Sequence, residues 1–136
     1  MIVVDTNVLM YAAGRSHPCK KPSLRFLEQV ASGELEAAID AETLQEILHR
    51  YRALNRWKEG RELYDMARRL FSTVLPVTAA VMDEGRRLLD LEAKMSARDA
   101  VHAAVCLVFE AEAICSWDRD FDRIAGIRRV EPGATA

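Results

Sequence analysis

Short apolar segments alternate along this chain with longer segments of helical periodicity, and this alternation constrains the fold more than any other feature. Ile2–Val4 is short and continuously apolar, which predicts a central strand buried on both faces. Pro76 cannot donate a ladder hydrogen bond, so the strand that contains it is expected at a sheet edge. The other predicted strands are 37–39, 74–77, 113–117 and 128–130. Together these segments predict an α/β fold with a mainly parallel sheet of four or five strands.

Helix boundaries are marked by residues that favour helix ends. Pro22 and Gly33 are placed to begin and to end the first predicted helix. Asp40 is a predicted N-cap for a helix whose apolar face runs through Tyr51 and Leu54, and Thr78 is the cap of a later one. A nearly apolar helix is predicted over 97–111 and is expected to lie against the sheet.

Size and composition favour one soluble domain. The chain has 136 residues, so a single domain over 1–136 is expected, and half of its residues are apolar. The net charge of -2 excludes a global positive field that would attract nucleic acid. No apolar run approaches the roughly 18 residues of a membrane span, and three cysteines without CxxC spacing indicate no disulfide framework. We therefore expect a cytoplasmic protein that does not enter a membrane.

Acidic residues interrupt the apolar pattern at four separate elements. Asp5 ends the first strand and Asp118 follows the strand at 113–117. The carboxyl ends of neighbouring parallel strands open onto one crevice, where α/β proteins bind ligands. Asp99 lies in the first turn of the apolar helix, and Glu46 lies on the helix after Asp40. Side chains from these elements are therefore expected to converge.

Each acid also has a purely structural explanation. Asp5 begins an Asp-Thr-Asn segment that is typical of turns and caps. Asp99 completes a capping-box pattern that begins at Ser96, and Asp118 opens an acidic run of the kind found in exposed turns. Glu46 falls outside the apolar arc of its helix, which favours a solvated position, and Glu42 is expected to be more exposed still.

A joint function of these acids follows from their charge. Two carboxylates about 4 Å apart repel by roughly 4 kcal/mol at an effective dielectric constant near 20, so a cluster requires protons or a cation. Carboxylate oxygens suit Mg²⁺ or Mn²⁺. Such an ion activates water and stabilises charge on a phosphodiester. The pattern therefore indicates metal-assisted phosphodiester hydrolysis.

Three segments of this sequence resemble motifs of the PIN-domain ribonucleases, and the compact length is similar to the VapC-type toxins of toxin–antitoxin pairs. The segments begin at Asp5, at Ser96 and at Ser116, and a fourth, less specific match maps the family's second acid to Glu46. The resemblance covers nearly the whole chain. It implies a three-layer α/β/α fold, a Mg²⁺- or Mn²⁺-dependent endoribonuclease, a homodimer, and inhibition by a cognate antitoxin protein.

The resemblance also implies roles for individual residues. Asp5, Asp99 and Asp118 are the implied metal ligands, and Glu46 is an additional ligand or a base. The accessory residues are Asp120, as an optional further acid, and Thr6 and Ser116, which would orient water or carboxylates. We expect His102 to be a packed or hydrogen-bonded helix residue, so the sequence does not call for a histidine general base.

A basic segment at 49–58 carries four formal positive charges and no acid. Arg52 and Arg56 are four residues apart, which slightly destabilises an isolated helix. An RNA phosphate or an acidic peptide would relieve that repulsion, and Trp57 would stack on an unpaired base. A solvated helix face is the alternative. The candidate RNA-binding residues are Arg50, Arg52, Arg56 and Lys58.

Two other functions remain to be separated from a nuclease. A non-catalytic PIN-like module would bind RNA or protein without cleavage. A phosphoryl-transfer enzyme of the haloacid-dehalogenase type also uses an aspartate after its first strand, but it has a second acid two residues later, where this chain has Asn7.

Overall fold

The computed structural model describes residues 1–134. This range contains five strands, six α-helices and one 3₁₀ helix, and none of its helices is both long enough and apolar enough to cross a bilayer. The strands are β1 (Ile2–Val4), β2 (Ala37–Asp40), β3 (Val74–Leu75), β4 (Ala113–Cys115) and β5 (Arg129–Val130). The helices are α1 (Thr6–Ala13), α2 (Lys20–Ala31), α3 (Ala41–Ala53), α4 (Trp57–Leu70), α5 (Ala79–Leu91) and α6 (Ala97–Val108), and the 3₁₀ helix is Arg119–Arg123.

The strands form one parallel sheet in the order β3-β2-β1-β4-β5. Ile2 is in register with Ala37 of β2 and Ala113 of β4, so the three central strands end at the same edge. The strand β3, with Pro76 just beyond it, lies at the edge as predicted. The central position predicted for β1 is also confirmed, and it places Asp5 in the middle of the carboxyl edge.

Alternating side chains of the sheet build two apolar cores. Ile2 and Val4 point into a core shared with α1, α2, α3 and α4. Val3 points to the opposite face, where it packs with α5 and α6. Burial on both sides explains why β1 has no polar residue. The predicted α/β/α architecture is therefore confirmed.

The helix α1 is the main element that the sequence analysis missed. It starts at Thr6, directly after the first strand, and has only eight residues. Its buried side chains include Val8, Leu9 and Ala12, a helical spacing too short to stand out beside the apolar strand. The segment that begins at Asp5 is thus neither a simple turn nor a side-chain cap, because the Asp5 side chain makes no capping hydrogen bond.

Element boundaries differ modestly from prediction. The predicted strands at 74–77, 113–117 and 128–130 are two or three residues long, and the helix expected to reach residue 111 ends at Val108. The helix predicted to pass through Leu54 ends at Ala53, and Asn55 adopts a left-handed conformation with φ of 57°. Arg52 and Arg56 therefore lie on either side of a break, and the helical repulsion expected between them does not apply.

The two helices α3 and α4 approach each other closely at Gly60. A Cβ atom at this position would lie 2.4 Å from Cβ of Tyr51, which is too close for two non-bonded carbon atoms. Glycine is therefore required here by packing and not by backbone conformation. This contact fixes the turn that carries the basic segment.

Candidate active site

The candidate site lies at the carboxyl edge of the sheet. Asp5 follows β1, Asp40 ends β2, and Ser116 and Asp118 follow β4. The first turn of α6 adds Asp99, and α3 adds Glu46, whose carboxylate reaches His102 of α6. Acids from separate elements therefore meet at one edge, as the strand positions predict.

Asp5 is almost completely buried at the centre of this edge, with 5% of its surface exposed. Its Oδ2 accepts a hydrogen bond of 2.6 Å from Ser116 Oγ. Burial raises the pKa of the Asp5 carboxyl, whereas His102 and the Ser116 hydroxyl lower it in part. The net direction is upward, so the charged form of Asp5 gains from any further positive charge nearby.

The Ser116 hydroxyl connects three segments of the site. Besides donating to Asp5, its oxygen accepts from Asn7 Nδ2 at 3.2 Å and from the backbone N–H of Asp118 at 3.0 Å. It thus ties β1, α1 and the segment after β4 together. Thr6 is directed differently: its hydroxyl donates to Thr43 Oγ1 at 3.3 Å, at the start of α3.

His102 is completely buried between acids of three elements. Its Nδ1 lies 2.6 Å from Asp40 Oδ2, and its Nε2 lies 2.7 Å from Glu46 Oε1. Burial lowers the pKa of the imidazole, but Asp40 and Glu46 outweigh this effect and hold that pKa well above its usual value. The ring is therefore an imidazolium that donates one hydrogen bond to each carboxylate. The expectation that His102 is a hydrogen-bonded helix residue is confirmed.

The solvated position favoured for Glu46 is wrong. Glu46 is only 9% exposed because its carboxylate turns inward to His102, which lies 56 positions later in the sequence. Hydropathy along α3 contains no information about a buried cation on another helix. Glu42 is also half-buried, not open to solvent, and burial raises its pKa. The N-cap predicted for Asp40 is confirmed, since its Oδ1 accepts from the Thr43 N–H at 3.0 Å.

Three carboxylates form a cluster beside Asp5. One oxygen from each of Asp99, Asp118 and Asp120 lies within 4.8 Å of the other two. Burial, together with the charges of Asp5 and Asp118, raises the pKa of Asp99 to about 7. Asp118 also accepts from the Asp120 backbone N–H at 2.9 Å, which caps the 3₁₀ helix and fixes both residues. The capping-box hydrogen bond predicted for Ser96 is present as well, from the Asp99 N–H to Ser96 Oγ at 3.1 Å.

The donor set of this cluster fits a divalent cation. Ligand oxygens about 2.1 Å from an octahedral Mg²⁺ lie about 3–4 Å from one another, and the three oxygens of this cluster all lie within 4.8 Å of one another. No lysine, arginine or histidine of residues 1–134 forms an ion pair with Asp99 or Asp118. Burial, and after it the negative charges of Asp5 and Asp118, raise the pKa of Asp99. A hard cation would remove the same repulsion without a proton.

The basic segment divides in the structure. All four basic residues are exposed, but only Arg50 and Arg56 line a groove of about 380 Å³ between α1 and α3; Arg52 and Lys58 are not among its lining residues. Arg56 also pairs with Glu59 and lies 5.9 Å from the centre of the Tyr51 ring. The sequence analysis missed Arg15, which lines the same groove from the end of α1.

Comparison with known proteins agrees with this geometry. Residues 2–127 match the PIN domain. The chain is 39% identical over 130 residues to Ribonuclease VapC13 of Mycobacterium tuberculosis, covering 96% of this chain and 99% of that protein, and 37% identical over 106 residues to Ribonuclease VapC23 of the same species, covering 78% and 83%. These matches leave the haloacid-dehalogenase alternative without support.

Solved structures share the fold at lower sequence identity. VapBC2 from Rickettsia felis, bound to a DNA fragment from its promoter, superposes with a TM-score of 0.76 and 19% identity, covering 96% of this chain and 98% of that one. Mycobacterium tuberculosis VapC20, a sarcin-ricin loop cleaving toxin, superposes with a TM-score of 0.73 and 17% identity, covering 94% of this chain and 99% of that one. With its acids at the carboxyl edge of this sheet, the chain belongs to the PIN-domain family, in the group of VapC ribonucleases.

Proposed function

We propose that this protein is a divalent-metal-dependent endoribonuclease that hydrolyses phosphodiester bonds in RNA and acts as the toxin of a toxin–antitoxin pair. The observation that carries the proposal is the carboxylate cluster of Asp99, Asp118 and Asp120, which lies beside Asp5. Within residues 1–134, neither Asp99 nor Asp118 forms an ion pair with a cationic side chain. Its relatives are named VapC ribonucleases, which supports the same chemistry.

In this proposal Asp5, Asp99 and Asp118 hold Mg²⁺ or Mn²⁺, and Asp120 is an accessory ligand. A bound divalent cation stabilises the negative charge that develops on the phosphodiester in the transition state. Ser116 fixes one oxygen of Asp5 by its 2.6 Å hydrogen bond, so this carboxylate needs no reorientation when substrate binds.

Glu46 is the proposed proton acceptor. His102 holds Glu46 Oε1, and no side-chain donor of residues 1–134 hydrogen-bonds to Oε2. In hydrolysis a water oxygen forms the new bond to phosphorus, its proton passes to a base, and the bond to the leaving ribose oxygen breaks. The free oxygen of Glu46 would take that proton, while His102 keeps the carboxylate in position.

We also propose that an antitoxin protein controls this activity and that the chain forms a homodimer. Support comes from the structural neighbours, which include a toxin–antitoxin complex from Klebsiella pneumoniae and FitAcB from Neisseria gonorrhoeae. Co-expression with a protein encoded beside this gene should give a complex on size-exclusion chromatography and suppress RNA cleavage.

The cysteines of the described residues, Cys19, Cys106 and Cys115, are free, so we place the protein in the reducing cytoplasm.

Cleavage of single-stranded RNA by the purified protein tests the catalytic proposal. We expect cleavage with Mg²⁺ or Mn²⁺ and none with EDTA. Asp5→Asn and Asp99→Asn should each reduce the rate by about 100-fold or more, because each removes a charge from the metal set. Asp65→Asn, an exposed change on α4, is the matched control and should cleave normally.

Isothermal titration with Mn²⁺ provides a readout that does not depend on activity. Asp99→Asn and Asp118→Asn should weaken Mn²⁺ binding, and Asp65→Asn should not. If the Asp5 and Asp99 variants cleave RNA as well as the unmodified protein, the assignment is wrong. Retention of RNA without cleavage at any metal concentration would instead identify a non-catalytic binding module.

A further inference from the structure

A groove lies on the surface between α1 and α3, and one of its lining residues, Asn7, hydrogen-bonds to Ser116 of the candidate active site. We call it the arginine groove and define it by Asn7, Tyr11, Arg15, Arg50 and Arg56, which are among the residues that line its volume of about 380 Å³. This volume falls in the range of about 300–1,000 Å³ that is typical of ligand pockets in proteins. The mechanism above uses none of these side chains.

The inner end of the groove is tied to the acids by hydrogen bonds. Asn7 Nδ2 donates to Ser116 Oγ, which in turn donates to Asp5 Oδ2. Asn7 Oδ1 accepts from the backbone N–H of Trp117 at 3.3 Å, so the amide is held from both sides. On the opposite wall Arg50 lies one helical turn after Glu46. Asn7 therefore links the groove through Ser116 to Asp5 of the candidate active site.

The length of the groove suits a short nucleic-acid segment. From Asn7 to Gly14 the helix α1 rises by about 10 Å, at 1.5 Å per residue. Stacked nucleotides advance about 3.4 Å each, so this distance corresponds to about three of them. Single-stranded RNA bound with its scissile phosphodiester at the acids has room to continue along this wall.

The charge of the groove is opposite to that of the adjacent cluster. Arg15, Arg50 and Arg56 line it, and none of its lining residues within 1–134 is acidic. Arg56 pairs with Glu59, whereas Arg15 and Arg50 have no ion-pair partner in the described part of the chain. Two guanidinium groups without acidic partners, beside an acidic site, match the phosphates that flank a cleaved bond.

Aromatic groups provide a surface for a base. Tyr11 is half-buried in the groove, with its ring 4.7 Å from the His17 ring and 6.4 Å from Trp117, centre to centre. The Trp117 indole is itself fixed by its Nε1–H, which donates to Ser23 Oγ at 2.9 Å. Aromatic rings beside a basic groove are typical of single-strand recognition. The arginines alone would suit an acidic peptide equally well, and the ring beside them is what favours a nucleic acid.

We propose that the arginine groove binds the single-stranded RNA segment next to the scissile phosphodiester, with Arg15 and Arg50 contacting phosphates and Tyr11 stacking against a base. This inference rests on the proposed ribonuclease function and adds to it the path of the substrate. Arg52 and Lys58, outside the groove, have no part in it.

Fluorescence anisotropy with a labelled single-stranded RNA of mixed sequence, in EDTA to prevent cleavage, tests the path. The double variant Arg15→Gln/Arg50→Gln should bind RNA at least 10-fold more weakly. The slope of the logarithm of the binding constant against the logarithm of the salt concentration should also decrease in magnitude by about 1.4, because two phosphate contacts to a single strand contribute about 0.7 each. Tyr11→Leu should weaken binding about 10-fold. Arg68→Gln/Arg69→Gln removes the same charge from the exposed face of α4 and should bind as the unmodified protein does.

Steady-state cleavage with Mg²⁺ separates this proposal from the catalytic one. The groove variants should raise KM and leave kcat within about twofold, whereas Asp99→Asn lowers kcat. If RNA is cleaved and the groove variants behave like the α4 control, the path is wrong and the ribonuclease function stands. Loss of binding to a co-expressed partner with normal RNA affinity would also overturn it, by assigning the groove to a protein. If the unmodified protein neither binds nor cleaves RNA, both proposals fail.

Discussion

Replacing His102 with leucine removes the buried cation that lies between Asp40 and Glu46. In the folded protein the imidazolium donates to both carboxylates, at 2.6 and 2.7 Å. Asp40 has no exposed surface and Glu46 has 9%, so water cannot take over as the partner of Asp40 and reaches Glu46 only slightly. The variant would leave these two buried carboxylates without a counter-charge, and Asp5, whose Oδ1 lies 3.7 Å from His102 Nε2, would lose the same cation.

The expected cost is large because both remaining groups are charged and buried. Removal of one partner from a buried ion pair typically destabilises a protein by about 3–5 kcal/mol. For a chain of this length that corresponds to a decrease in Tm of roughly 10–20 °C. An exposed substitution usually changes stability by less than about 0.5 kcal/mol.

Urea unfolding of the metal-free protein, followed by circular dichroism, measures this cost. His49→Leu, on the exposed face of α3, is the matched control. Adding Asp40→Asn and Glu46→Gln to His102→Leu should recover a substantial part of the lost free energy of unfolding. The amide oxygen that Asp40→Asn introduces can still accept from the Thr43 N–H, so the cap is retained while both charges are removed.

Two results would refute the reasoning. One is a free energy of unfolding for His102→Leu that equals that of the His49 control. The other is a combined variant that is no more stable than His102→Leu alone, which would mean that packing, and not unpaired charge, determines the loss.

Three further predictions concern protons and packing. Because the pKa of His102 is raised on folding, its contribution to the free energy of unfolding is complete below about pH 6.5 and is lost as pH rises through the folded pKa, by at most about 1.4 kcal/mol per pH unit. Urea unfolding above pH 7 in EDTA should show this decrease, and His102→Leu should lack it. Because Mn²⁺ must displace a proton from Asp99, whose pKa is about 7, the Mn²⁺ affinity measured by calorimetry should rise about tenfold per pH unit up to pH 7 and then level off. A Mn²⁺ affinity that does not change with pH would contradict this. Gly60→Ala places a methyl group 2.4 Å from Tyr51 Cβ and should lower the free energy of unfolding by about 1–3 kcal/mol, whereas Gly85→Ala, whose nearest contact is 3.6 Å away, should raise it by about 0.5–1 kcal/mol. Equal changes in Tm for the two variants would show that the close approach at Gly60 is tolerated.

The arrangement at the sheet edge was predictable because strand ends are a local property. Asp5 directly follows an apolar strand, and parallel strands end at a common edge, so its position at the same edge as Asp118 could be predicted, whereas the pairing of β1 with β4 came from the structure. The same holds for Asp99, which the capping pattern places in the first turn of its helix. Local signals were sufficient where the chemistry lies at the end of an element.

The burial of Glu46 was not predictable in this way. Its partner, His102, lies on another helix, and neither residue has a neighbour in sequence that indicates the contact. The groove depended on α1, a helix too short for its periodicity to be recognised, so Arg15 and Tyr11 had no assigned position. The sequence therefore did not predict which side chains on different helices contact one another.

The buried imidazolium has a consequence for how such an enzyme is assembled. Because His102 is an internal counter-ion, Asp40 and Glu46 share its one positive charge as soon as the polypeptide has folded. Without a cation, a proton on Asp99, whose pKa is raised to about 7, reduces the negative charge beside Asp5 and Asp118. Folding would then not require the divalent cation of the proposed mechanism, and under that proposal a metal-starved cell would hold an intact protein without ribonuclease activity until the ion arrives.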